Sequence, residues 1–367
     1  MRIDPFGARL PHPALIASAE TFFAVVKEHY LDYRARGMFE APTPPGLWVY
    51  RLREGGETYT GVLAGLPPEQ LADGRVHRHE GTLAANEQSQ LQLLVLRSAA
   101  VKPVLLTYPR SEAVAAAIAT AVADHAPTLA IDDAVATGPV RHELYHLPAG
   151  GPRAEALAAA FERHVAAAYI ADGHHRVRAL ELFNARRESD GDQPVPLYAG
   201  LFADDQVRVR PYHRVVQLPV GLTPLALLAR LSRLCEVEVH PEPIAPPGPG
   251  HLTLLLGGET FRLHWRPAVK PAHGVALDAG LFNRLVAGPI FGIDDVRTDT
   301  RIHYVPGAQG IGLVVAAVAS RPDCAGFLLH GIEARDMFAV VDAGLVMPPK
   351  STWFEPRMRN GLAVMEV

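Results

Sequence analysis

Apolar and polar positions alternate along this chain in two rhythms. Phe22, Phe23, Val26 and Tyr30 fall on one face at helical spacing and predict a helix over residues 17–36, ended by Pro42, Pro44, Pro45 and Gly46. Period-two runs at 47–52 and 58–63 flank Gly55-Gly56 and predict a hairpin. Residues 76–98 open on a polar cluster and continue as a Gln- and Leu-rich helix; residues 103–108 read as a strand, with Ser111 placed to cap the Ala-rich helix after it. Residues 153–168 favour helix, Tyr169 and Ile170 end a short buried strand, and Val177, Leu180 and Phe183 return to helical spacing. Runs at 195–202 and 207–216 around Asp204-Asp205 predict another hairpin.

Pro219-Val220-Gly221 marks a change of region. Beyond it the pattern predicts helices over 225–234 and near 278–287 and 333–343. Strands are predicted at 236–240, 252–256, 260–265, 302–305 and 311–317, with a Pro-rich loop at 241–250. Interleaved strands and helices specify a mixed α/β (α+β) architecture. The expected division is one domain at 1–218 and a smaller α+β domain at 219–367, as the length of 367 residues suggests.

Asp172-Gly173-His174-His175-Arg176 lies at the predicted strand-to-helix turn. Gly173 permits a tight or positive-φ backbone there. The first free N–H groups of the helix and Arg176 would face one small volume, which is the geometry of an anion site. The two histidines and the carboxylate beside it supply proton-transfer groups.

Composition narrows the chemistry. A net charge of −4 and the absence of a basic stripe leave nucleic acid outside the expected partners. No apolar run is long enough to span a bilayer and the first residues carry no export segment, so no membrane is expected and cytoplasm is the expected compartment. Cys235 and Cys324 lack any metal spacing and fit a reducing environment.

Three further clusters carry candidate chemistry. In His77-Arg78-His79-Glu80-Gly81-Thr82, His79 or Glu80 could accept a proton. Arg210-Pro211-Tyr212-His213-Arg214 opens a strand, and Pro348-Pro349-Lys350-Ser351-Thr352 offers phosphate ligands on a backbone fixed by two prolines. No glycine-rich P-loop precedes Lys350. Asp172, His174, His175 and His79 could bind a divalent metal, although adjacent histidines at a helix start point about 100° apart.

The string Ile170-Ala171-Asp172-Gly173-His174-His175-Arg176, with Arg78-His79-Glu80-Gly81-Thr82 before it and Met347-Pro348-Pro349-Lys350-Ser351-Thr352 after it, resembles the bacterial and archaeal family known as domain of unknown function 1015. His213-Arg214, residues 292–295, Arg301 and Tyr304 follow that family's pattern in order. More distantly, the Asp-Gly-His-His-Arg turn resembles the phosphate-binding turn of the ParB and sulfiredoxin superfamily, which includes kinases of free serine. That resemblance implies a ParB/sulfiredoxin-like core with a mixed sheet, and a nucleotide (ATP or ADP) whose phosphates meet Gly173, His174, His175 and Arg176. Glu80 becomes the candidate base by analogy of role.

The expected function is a nucleotide-dependent phosphotransferase acting on a small hydroxylated metabolite, a serine-like amino acid among the candidates. Glu80, His79, Asp172, His174 and His175 are the expected catalytic groups. Gly173, His174, His175, Arg176, His213, Arg214, Lys350, Ser351 and Thr352 are the expected nucleotide ligands, with Asp172 holding Mg²⁺. A homodimer fits this expectation. The rival expectations are a nucleotide switch or scaffold without fast catalysis, and a metal-dependent hydrolase built on His174, His175 and Asp172.

Overall fold

The computed structural model describes residues 1–135, 138–269 and 277–367. The chain is a mixed α/β protein of two compact units, Met1–Val207 with Pro356–Val367, and Arg208–Glu355. The division falls ahead of the expected 218/219 boundary because the strand Tyr212–Gln217 pairs inside the second unit's sheet. The last residues return to the first unit because Val364–Glu366 pairs with Ala8–Arg9 and Ala99–Ala100.

In the first unit, the described residues form an eight-stranded sheet. Its order is Val76–His77, Ala168–Asp172, Val104–Tyr108, Leu197–Ala203, Glu57–Leu66, Gly46–Glu54, Gly138–Pro148, Leu129–Val135. Val76–His77 runs parallel to Ala168–Asp172, and Val104–Tyr108 parallel to Leu197–Ala203; the other neighbours are antiparallel. One core joins Val49, Val62, Leu106, Ile170 and Leu201 of the sheet to Leu157 and Phe161 of the helix Pro152–His164 and to Val177 and Leu180 of the helix His174–Ser189. Each such side chain, fully buried, contributes about 1.5–3 kcal/mol. Phe183 is half-buried at the edge of this core rather than inside it.

In the second unit, the described residues form a six-stranded antiparallel sheet in the order Cys235–His240, Glu259–Trp265, His251–Leu256, Cys324–Leu329, Tyr212–Gln217, Ile302–Pro306. Strand alternation sends Val216 and Leu254 into one core, shared with Leu227, Leu281 and Phe282 of the helices Pro224–Leu231 and Asp278–Phe282. Val215 and Leu255 enter the opposite core, against Val314 and Val318.

Two element expectations are corrected. Residues 311–317 are not a strand: Ile311 caps the helix Gly312–Ser320 and the rest lie within it. The short apolar run carries no period of its own, and packing of Val314 and Val318 on the sheet decides it. Residues 195–216 do not form a hairpin: Leu197–Ala203 pairs with Glu57–Leu66 and Val104–Tyr108, while Tyr212–Gln217 joins the other unit's sheet. The hairpin Leu129–Val135/Gly138–Pro148 and the strand Cys324–Leu329 are additions that the pattern did not announce. Among the described residues, no helix is long and apolar enough to cross a membrane.

Candidate functional site

The strand Ala168–Asp172 ends at Gly173, and the helix begins at His174. Register against Val104–Tyr108 shifts between Leu105 and Leu106, which oppose Asp172 and Ile170, so a bulge re-aims the strand end just before the turn. Gly173 has φ +112°, which L side chains rarely adopt, and a Cβ there would lie 2.6 Å from Arg176 Nη2. Arg176 and Val177 donate to the Gly173 carbonyl at 2.8 and 3.1 Å, so the N–H groups of His174 and His175 precede the first intrahelical bond. The predicted strand, turn and helix are all present, and the glycine is required twice over.

Three cations converge on the Asp172 carboxylate. Arg176 Nη2 lies 3.0 Å from Oδ2, Lys102 Nζ 3.5 Å from Oδ2, and Arg357 Nη1 3.6 Å from Oδ1. Burial pushes the Asp172 carboxyl up, but Arg176, Lys102 and Arg357 outweigh it and hold the group well below the usual carboxylate range. Burial and the neighbouring Arg176 charge pull Lys102 down to about 8 against the attraction of Asp172, so it stays mostly charged at neutral pH. The Arg176 Nε atom is buried and has no hydrogen-bond partner among the described residues.

A cleft of about 410 Å³ opens beside this ring, within the first unit, lined by Lys102, Arg176, Ser89, Gln90, Arg97 and Tyr198 among others. That volume lies in the range of small-molecule sites. Arg97 is 8% exposed, and its Nη2 has no hydrogen-bond partner among the described residues. The cleft therefore gathers cationic and other donor groups together with the carboxylate of Glu28 and apolar Leu93, Leu94 and Val104.

The expected metal role of Asp172 meets a physical obstacle. A carboxylate already ringed by three cations repels Mg²⁺, and the structure gives Asp172 the work of holding Arg176, Lys102 and Arg357 in place. His175 is turned away from the ring. Its Nε2 accepts from Leu83 N at 3.1 Å and lies 3.5 Å from Asn86 Nδ2, securing the start of the helix Ala84–Arg97. The set Asp172, His174, His175 thus does not assemble as one metal centre.

His79, Glu80 and His174 do come together, with one ligand atom from each lying within 4.8 Å of the others. His79 Nε2 is 3.8 Å from Glu80 Oε1, and the His79 backbone N–H points to His174 Nε2 at 3.4 Å. The two rings meet edge to face at 4.4 Å. Burial drives the His79 ring down to about 4 against a hydrogen bond with the Ile170 backbone, and burial with the nearby His79 drives His174 down to about 3. Both rings are neutral at physiological pH. Glu80 remains exposed beside them.

The remaining candidates assemble inside the second unit. His213 is buried, its Nδ1 accepting from Leu329 N at 3.2 Å, and burial lowers it to about 4. Arg214 is fully buried between the Phe282 and Tyr304 rings, at 5.4 and 5.6 Å, and donates to the Tyr212 and Lys350 carbonyls. Lys350 Nζ lies 5.3 Å from the Tyr212 ring centroid, Ser351 is buried and Thr352 half-buried. Arg214 so placed fastens the 348–352 loop to the sheet through its carbonyl contact with Lys350.

Sequence reasoning missed Lys102 and Arg357. Lys102 stands alone between Val101 and Pro103 before an apolar strand, and a lone cation there is the one signal available. Arg357 sits more than 180 residues after Asp172, and nothing local points from one to the other.

A sequence profile described as "Protein of unknown function (DUF1015)" matches residues 9–285. The chain belongs to this family. The resemblance carried by the ADGHHR stretch is therefore borne out over most of the chain. No curated protein matches the sequence. Among solved structures, this family member is similar to SbnI with a C-terminal truncation from Staphylococcus aureus, at 13% identity and a TM-score of 0.43, covering 79% of this chain and 84% of that one. It is also similar to a mutant free serine kinase in complex with ADP, at 14% identity and a TM-score of 0.37, covering 78% and 89%. A conserved hypothetical protein from Pyrococcus furiosus is similar at 14% identity and a TM-score of 0.36, covering 80% and 91%. Likenesses at this level carry no argument about chemistry.

Proposed function

We propose that this protein binds a nucleotide di- or triphosphate by its phosphates at the Asp172–Arg176 turn and transfers the terminal phosphoryl group to the hydroxyl of a small metabolite. A serine-like amino acid is the candidate acceptor. One observation carries the reading: three cations from separate elements, Lys102, Arg176 and Arg357, gather around the start of a glycine-initiated helix, and two of them line a cleft large enough for a nucleotide. Phosphoryl transfer asks the protein mainly for positioning and charge stabilisation, and this ring supplies both.

In this reading the N–H groups of His174 and His175 and the Arg176 guanidinium hold phosphate oxygens. Asp172 positions the cations. The acceptor oxygen forms a bond to the terminal phosphorus while the bridging P–O bond breaks, and the shortened nucleotide leaves with that electron pair. The acceptor's proton passes to Glu80, an exposed carboxylate beside His79.

The test is thermal stabilisation of the full chain by ATP and ADP, with Arg176→Ala beside the parent, followed by an acceptor panel assayed for ADP release. Losing a charge-assisted contact costs about 1.5–3 kcal/mol, or roughly 10- to 150-fold in affinity. Equal nucleotide binding by parent and variant would remove Arg176 from the phosphate site. Binding with no phosphorylated product from any acceptor would leave a nucleotide switch.

A further inference from the structure

The two buried imidazole rings and the Glu80 carboxylate make a donor set that phosphate binding itself does not use. We propose that His79, Glu80 and His174 form a binding site for a divalent transition-metal ion, of the Zn²⁺, Co²⁺ or Mn²⁺ class, separate from any Mg²⁺ that accompanies a nucleotide.

Two imidazoles and one carboxylate are a donor set that selects borderline metals over Mg²⁺ and Ca²⁺, which prefer oxygen alone. Three protein ligands leave a position open for water or a substrate oxygen. The atoms are near the required separation. Ligands about 2.0–2.2 Å from a tetrahedral ion stand roughly 3.3–3.5 Å apart, and here one atom from each residue already lies within 4.8 Å of the others. Closing the remaining ångström or so takes small side-chain adjustments, and the exposed Glu80 side chain can change rotamer to contribute.

The hydrogen bond between the His79 ring and the Ile170 backbone restrains that ring, as a metal-ligating histidine requires. The bond given up at His174 is the long 3.4 Å contact from the His79 N–H. Arg78, the nearest opposing charge on the same segment, is paired with Glu181. A structural explanation, two histidines filling core space, accounts for burial but not for a carboxylate brought to both.

The site stands whether or not the cleft takes a nucleotide. If both hold, Glu80 holds the metal through one carboxylate oxygen and takes the acceptor's proton on the other, and the open position receives the acceptor's hydroxyl oxygen beside the phosphate cradle, since His174 directly follows Gly173.

The experiment is titration of the chelator-treated full chain with Co²⁺, followed by visible absorption and by calorimetry, with no nucleotide present. The expected result is one tight equivalent per chain with the visible bands of nitrogen-bearing, low-coordinate Co²⁺, displaced by Zn²⁺ and not by Mg²⁺. His174→Ala and His79→Ala should weaken binding at least a hundredfold. Because either buried variant could disturb folding, Glu80→Gln on the exposed residue is the second arm, expected to weaken binding at least tenfold with an unchanged melting temperature. His77→Ala, on the neighbouring strand, should bind as the parent does. Overturning results are the absence of a tight equivalent, or equal binding by parent and all three ligand variants. A chain that binds ADP but no Co²⁺ refutes this site and leaves the phosphotransferase reading intact; the reverse result does the opposite.

Discussion

Gly173→Ala tests the turn at its least replaceable atom. An alanine Cβ would stand 2.6 Å from Arg176 Nη2 and 3.0 Å from Cζ and Nε. These belong to the far end of a flexible side chain, yet that end is fixed 3.0 Å from Asp172 Oδ2, so relief of the clash means surrendering the contact. The backbone adds its own cost, because φ is +112° and alanine in left-handed conformations loses about 1–2 kcal/mol. The broken charge-assisted bond adds about 1.5–3 kcal/mol, taken at the low end because Arg176 is partly exposed and two other cations still serve Asp172. The expected loss is about 2–4 kcal/mol, roughly 5–12 °C in the melting of a unit this large. Urea unfolding of the full chain, followed at the transition of the first unit, measures it. The same substitution in an Arg176→Ala background should cost only the backbone part, and the difference is the coupling. A Gly173→Ala chain within about 0.5 kcal/mol of its parent would refute the strain argument, and equal costs in both backgrounds would refute the clash.

Two further predictions concern pH. Lys102 titrates near 8 in the free protein, below its ordinary 10.5, because burial and Arg176 disfavour its charge. The sign follows: as pH rises from 7 to 9 the ring loses a charge, and calorimetry should show ADP binding weaken by up to about tenfold, since one pH unit past a pKa costs about 1.4 kcal/mol. Lys102→Met should flatten that dependence; a parent with no dependence over this range would refute the role. His79, His174 and His213 are held down to about 4, 3 and 4 by burial, while the unfolded chain takes up protons near 6.5. Stability is therefore full above pH 6.5 and falls as pH drops toward 4, by on the order of 3 kcal/mol for each ring. Ring-proton NMR should show these three histidines without a transition down to pH 5, and any one of them titrating near 6.5 would overturn its placement.

What the sequence disclosed depended on distance along the chain. The turn at 172–176 was legible because strand, glycine and helix follow one another, and each leaves a local mark. His79 was legible as a partner of His174 from its chemistry alone, while the parallel pairing of Val76–His77 with Ala168–Asp172 that brings His79 and Glu80 there leaves no trace in the sequence. The same holds for Lys102, set beside Asp172 by antiparallel pairing of Val104–Tyr108 with Ala168–Asp172. The His175 ring has a partner that the sequence does not announce. One ring position on a helix start can serve a ligand or a neighbouring helix, and the Leu83 N–H that claims it lies over ninety residues away. Residues 311–317 failed on period, because an unbroken apolar run fits a buried strand as well as a helix.

The position of Asp172 explains how a cation ring persists in a folded chain. Lys102, Arg176 and Arg357 unaccompanied would repel one another in a half-buried setting, and each would lose solvation. One carboxylate shared among the three cations relieves this. It also gives the last residues of the chain a purpose. Arg357 reaches Asp172 only because Pro356–Val367 folds onto the first unit, where Val364–Glu366 joins the short sheet with Ala8–Arg9 and Ala99–Ala100. Ala99–Ala100 runs into Val101 and Lys102, so one edge strand anchors two of the three cations. The charge of the site and the closure of the first unit are thus set by the same few backbone hydrogen bonds.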